Sequence, residues 1–65
     1  MNNELDIGVR WLELERNLKV VDTIEQRQNG EISPSECAME CGRIKNEYAV
    51  RINVLLQSHI KKTPN

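Results

Sequence analysis

Three side chains of this sequence, Cys37, Cys41 and His59, are of the types that bind a soft metal or act as a nucleophile and its base. Cys37 and Cys41 are four residues apart, so a helix would place both thiols on one face. His59 lies about 27 Å beyond Cys41 along a continuous helix, at roughly 1.5 Å per residue. A zinc site needs four ligands and a thiol nucleophile needs a nearby base, and one chain of this kind assembles neither. We therefore expect a protein that is not an enzyme and that holds no cofactor or metal, with the cysteines serving as small apolar residues. Four cysteines meeting across a dimer axis are the alternative that would bind zinc.

A short stretch in the middle of the chain ends one helix and begins another. Gly30 suits the left-handed conformation that follows a helix end, because it has no Cβ to clash. Ser33 suits the N-cap of the next helix, Pro34 suits its first position, and Glu36 completes a capping box. The sequence therefore predicts a single helical-hairpin domain, residues 1–65, with a helix over about 3–29, a turn over 30–32 and a helix over about 33–62.

Apolar residues recur along both predicted helices at the spacing of a coiled coil. The set on the first helix is Ile7, Trp11, Leu14, Leu18 and Val21, and the set on the second is Cys37, Cys41, Ile44, Tyr48, Ile52, Leu55 and His59. We expect these two faces to pack against each other in an antiparallel all-α hairpin. Leu18 would then lie near Tyr48, and Trp11 near Leu55.

Both helices carry further apolar residues that this pairing does not use. They are Leu5, Val9 and Leu12 on the first helix, and Ala38, Gly42, Ala49, Leu56 and Ile60 on the second. A chain of 65 residues buries little surface alone, and small folds often gain stability by association. We therefore expect these eight residues to contact another molecule, most simply by dimerisation of two hairpins into a four-helix bundle. A broad core face with a few exposed aliphatic residues is the simpler alternative for the set on the first helix.

Nine basic and ten acidic side chains leave a net charge of −1. This balance argues against a purely electrostatic nucleic-acid binder and against an acidic DNA mimic. The basic residues that would contact phosphates are Arg43, Lys45, Arg51, Lys61 and Lys62. They do not fall on one stripe of the helix, and glutamates lie among them. For these reasons a dimeric RNA- or DNA-binding adaptor is the alternative expectation and not the leading one. Such an adaptor would recognise structured RNA by its shape.

The sequence contains no apolar run of the roughly 20 residues that a membrane span needs. The N-terminal residues lack the basic start and apolar run of a signal peptide. We therefore expect a cytoplasmic protein with reduced thiols and no membrane partner.

The predicted hairpin resembles, in shape and length, Rop-like RNA-binding dimers and the small helical-hairpin chaperones of bacterial secretion systems. These resemblances imply an RNA-binding dimer or a chaperone as alternatives. Our leading expectation is a small interaction or regulatory protein that acts through helix packing, as a homodimer, on a larger protein, or both. Regulation by laying one helix into a groove of an enzyme is a further form of that expectation.

Overall fold

The computed structural model describes residues 3–61, and for Asn3 and Lys61 it describes the backbone alone. Two α-helices, α1 (Asn3–Gln28) and α2 (Pro34–Lys61), run antiparallel and pack against each other. The Cα atoms extend over 53 × 17 × 9 Å, so the molecule is a thin rod. The predicted all-α class with two packed helices is confirmed, and no strand occurs between residues 3 and 61. The four-helix bundle involves a second copy and stays a prediction.

A Schellman motif ends α1, and Gly30 lies at its centre with a φ of 78°. The Gly30 amide donates to the Arg27 carbonyl at 3.0 Å, and the Glu31 amide donates to the Gln26 carbonyl at 2.8 Å. These two bonds satisfy carbonyls that the helix end would otherwise leave unpaired. The positive φ explains why a glycine is needed at this point of the turn.

The predicted capping box begins α2. The Glu36 amide donates to Ser33 Oγ at 3.0 Å, and the Ser33 amide donates to Glu36 Oε1 at 2.9 Å. Pro34 is the first helical residue, where its missing N–H costs nothing. α1 ends at Gln28, one residue before the predicted bound, and α2 begins at Pro34, directly after its cap Ser33.

The face of α2 that was predicted to pack against α1 does so. Cys37, Ile44 and Tyr48 are buried, and Cys41, Ile52, Leu55 and His59 are half-buried. Tyr48 has the deepest position, with 1% of its surface exposed. Lys19 Nζ lies 5.2 Å from its ring centroid and Arg51 Cζ lies 4.9 Å from it, within the range of cation–π interactions.

The face of α1 that contacts α2 is not the predicted one. The residues expected in the contact are instead exposed to between 47% and 61%: Ile7, Trp11, Leu14, Leu18 and Val21. The side chain over the Tyr48 ring belongs to Lys19, where the spacing predicted Leu18. The helix is thus turned by roughly 140° about its axis from the predicted orientation, at 100° per residue.

Side chains of α2 pack closely against two small residues of α1 in this orientation. A Cβ on Gly8 would lie 2.9 Å from Leu55 Cδ2. The Leu55 side chain therefore occupies the space that the Cβ of any other residue at position 8 would need. Thr23 is buried, and its carbonyl oxygen is 4.0 Å from Cys37 Sγ. The Thr23 hydroxyl donates to the Lys19 carbonyl at 2.9 Å, so its burial leaves no unsatisfied donor. Two small residues of α1, Gly8 and Thr23, therefore take part in the contact with α2.

Candidate interaction surface

The largest apolar feature on the exposed side of α1 is the set of residues that the contact with α2 leaves free. We call it the outer stripe: Ile7, Trp11, Leu14, Leu18 and Val21. Its members follow one another at spacings of 4, 3, 4 and 3 residues, so they form a continuous line on the helix. Five large side chains at this exposure present on the order of 500 Å² of surface, which is in the range of functional apolar patches on monomers.

Charged and polar residues border the outer stripe on both flanks and at both ends. Glu15 and Asp22 follow Trp11 and Leu18 by four residues and lie on one flank. Arg10 and Asn17 lie on the opposite flank, and Glu4 and Glu25 continue the line of the stripe at its ends. All six side chains are exposed. The stripe is thus an apolar strip two heptads long with a charged rim.

Arg10 is the one basic residue on the rim of the outer stripe. Its Nε lies 3.3 Å from Asp6 Oδ2 in an i, i+4 pair, and both side chains are largely exposed. An exposed pair of this kind contributes at most about 1 kcal/mol, so Arg10 can exchange Asp6 for another carboxylate at little cost.

The residues that the sequence predicted as an interaction surface fall in two different places. Leu5, Val9 and Leu12 are half-buried on the side of α1 that faces α2. The α2 set is exposed: Ala38, Gly42, Ala49, Leu56 and Ile60. Among the described residues, and apart from the α2 backbone around Gly42, no atom lies within 4 Å of the position that a Cβ on Gly42 would take, so this face of α2 is open. Whether either set contacts another molecule stays a prediction.

The outer stripe was missed as an exposed surface because its spacing is that of a helix contact. The signal that could have found it is the pair of small residues Gly8 and Thr23. They lie in line with Leu5 and Leu12, at positions where a close helix contact needs little side-chain volume. Hydrophobicity alone therefore selects the wrong face of α1 for the contact with α2.

A groove of about 650 Å³ with a mixed polar and apolar lining lies between the helices near the turn. Four carboxylates and two basic residues line it, namely Asp22, Glu36, Glu40, Glu47, Lys19 and Arg43. Arg43 bridges Glu40 and Glu47, and the bond to Arg43 holds the pKa of the Glu40 carboxyl below its usual value. The groove is acidic on balance, and its main basic group is already paired.

The predicted nucleic-acid residues do not form one basic surface within the described chain. Arg43 is paired with glutamates, and Arg51 Nη2 lies 2.9 Å from Glu47 Oε2. Lys45 lines a separate small groove beside Arg16 and Val20. The Lys61 side chain and all of Lys62 lie outside the described residues. The nucleic-acid alternative stays a prediction.

Both cysteines are free thiols on the α2 side of the helix contact. Burial and the neighbouring Cys37 thiol raise the pKa of the Cys41 thiol above its usual value. Among residues 3–61, no three histidine, cysteine, aspartate or glutamate side chains come close enough together to hold a metal ion.

No protein-family model, curated protein or solved structure matches this sequence. Neither described helix has a stretch long and apolar enough to cross a membrane.

Proposed function

We propose that this protein is a small interaction or regulatory protein that works through helix packing and forms a homodimer. The observation that carries the proposal is the outer stripe, with Trp11 exposed to 61% in the single hairpin. Trp is among the residue types that most often supply the binding energy at the centre of protein interfaces. A single hairpin gains nothing by exposing five large apolar residues in a line.

The small size of the core supports the same proposal. Within the described chain, the buried hydrophobic residues are Cys37, Ile44 and Tyr48. A chain of this length usually needs a disulfide, a metal or association to become stable. Its two cysteines form no disulfide with each other, and association is a source of stability that the surface offers.

A second copy of the chain is a suitable partner, because the outer stripes of two copies can pack against each other. A standard interface buries about 800 Å² on each partner, with an apolar centre and a polar rim. The stripe supplies such a centre, and the bordering charged residues supply the rim. Any regulatory effect on a larger protein would use apolar surface that the dimer leaves exposed, such as Leu56 and Ile60 on α2.

Sedimentation equilibrium between about 1 and 100 μM tests the proposal. We expect a monomer–dimer equilibrium, accompanied by a thermal midpoint that rises with protein concentration. A well-folded monomer over the whole range, with a midpoint independent of concentration, would refute the self-association.

A further inference from the structure

We infer that two copies of this chain pair in parallel along the outer stripe of α1, so that Arg10 of each copy meets Glu15 of the other. This inference rests on the proposed function, and it specifies the surface, the orientation and the charge pairs of the dimer. The residues that carry it are the stripe, its two flanks and the position of α2 behind it.

The outer stripe has the pattern of a two-stranded coiled-coil seam. Trp11 and Leu18 occupy one of the two core positions of a heptad, and Ile7, Leu14 and Val21 occupy the other. Glu4 and Glu25 hold the next core positions beyond the two ends. In a parallel pair these glutamates would face their own copies, which limits the apolar seam to the two heptads between them.

The two flanks of the stripe carry different charges, and this difference selects the orientation. Glu15 and Asp22 lie on one flank, and Arg10 and Asn17 lie on the other. In a parallel pair each flank meets the opposite flank of the partner, so Arg10 faces the partner's Glu15 twice by symmetry. In an antiparallel pair each flank meets its own copy, so Glu15 would face the partner's Glu15. The flank charges therefore favour the parallel arrangement, and they act against the two like-charged contacts, Glu4 with Glu4 and Glu25 with Glu25, at the ends of the seam.

The position of α2 is compatible with this pairing. The outer stripe lies roughly 140° around α1 from the side that contacts α2, at 100° per residue. A second α1 can therefore reach the stripe while both α2 helices stay on the outside. The four helices would then lie nearly in a row, in contrast to a closed bundle that buries the α2 set at its centre.

A matched pair of valine substitutions tests the surface by sedimentation equilibrium. Val21 belongs to the outer stripe and is 52% exposed, whereas Val50 lies on α2 and is 56% exposed. We expect Val21→Ala to raise the dimer Kd at least about tenfold, because each dimer loses four partly buried methyl groups. Val50→Ala should leave the Kd within about twofold. Both side chains are exposed in the hairpin, so helicity by circular dichroism should match the wild type.

Charge substitutions test the orientation in the same assay. Glu15→Arg places two arginines together in a parallel dimer, and we expect the Kd to rise about tenfold. Adding Arg10→Glu re-creates the opposite pair and should return the Kd to within about twofold of the wild type. In an antiparallel dimer, Glu15→Arg replaces a contact between two glutamates by a contact between two arginines. Adding Arg10→Glu would then create no opposite-charge pair at position 15, so it would not lower the Kd.

The outcomes separate this inference from the proposed function. A wild-type chain that stays monomeric refutes both. A wild-type dimer that Val21→Ala does not weaken, or that Leu56→Ala weakens more, places the interface on another face and refutes the inference alone. A dimer that Val21→Ala weakens but that shows no rescue by the second charge substitution refutes the parallel orientation.

Discussion

Replacing Trp11 with alanine in the single hairpin tests the orientation of α1 that the structure shows. Trp11 is 61% exposed, and alanine has the higher helix propensity. The small loss of contact and the gain in propensity nearly cancel, so we expect the free energy of unfolding to change by less than about 1 kcal/mol. Tyr48→Ala is the comparison, because only 1% of the Tyr48 surface is exposed. Its loss should cost about 3–5 kcal/mol, a large part of the stability of a chain this small.

Urea unfolding followed by far-ultraviolet circular dichroism measures both variants. The measurement is made at a concentration at which sedimentation shows the wild type to be monomeric, so that dimer formation does not contribute. We expect the midpoint of Trp11→Ala to stay near that of the wild type and the midpoint of Tyr48→Ala to fall sharply. Equal losses for the two variants would show that Trp11 packs against α2, and the account of the outer stripe would be wrong.

Four further substitutions test the turn, the helix contact and the Cys41 thiol. Ser33→Ala should cost about 1 kcal/mol of unfolding free energy, because the capping box loses the bond to the Glu36 amide; an unchanged urea midpoint would contradict this. Gly42→Ala should stabilise the hairpin by up to about 1 kcal/mol in the same assay, whereas Gly8→Ala should gain less or lose stability because of Leu55; equal gains would argue against the close contact. The raised pKa of Cys41 means that the folded state favours the protonated thiol. The contribution of the Cys41 thiol to the free energy of unfolding is therefore present below the ordinary thiol pKa and is lost as the pH rises through the raised value. In the alkaline range, the urea midpoint should fall more steeply with pH for the wild type than for Cys41→Ser.

The turn and the two helices could be predicted from sequence because their signals are local. Gly30 needs a positive φ, and Ser33 and Glu36 bond to each other's backbone amides across three residues. These preferences act within a few residues and do not depend on the rest of the fold. The contact face of α2 was also predictable, because its regularly spaced large residues include Tyr48 and Ile44.

The contact face of α1 could not be predicted in the same way. Two faces of that helix are apolar, and the choice between them depends on how each fits α2. The structure favours the face on which Gly8 accommodates Leu55 and Lys19 lies over the Tyr48 ring. These are pairwise contacts between residues that are about 30 to 50 positions apart, and hydrophobic spacing along one helix does not contain them. The outer stripe, which the spacing placed in the helix contact, is therefore a candidate interaction surface in addition to the predicted sets.

Trp11 is the only tryptophan in the chain, so its fluorescence reports directly on the outer stripe. We predict that the emission of the dilute monomer is that of a solvent-exposed indole. As concentration rises through the dimer Kd measured by sedimentation, the emission maximum should shift to shorter wavelength. An emission maximum that stays at the exposed value while the protein dimerises would contradict the claim that two copies meet along this stripe.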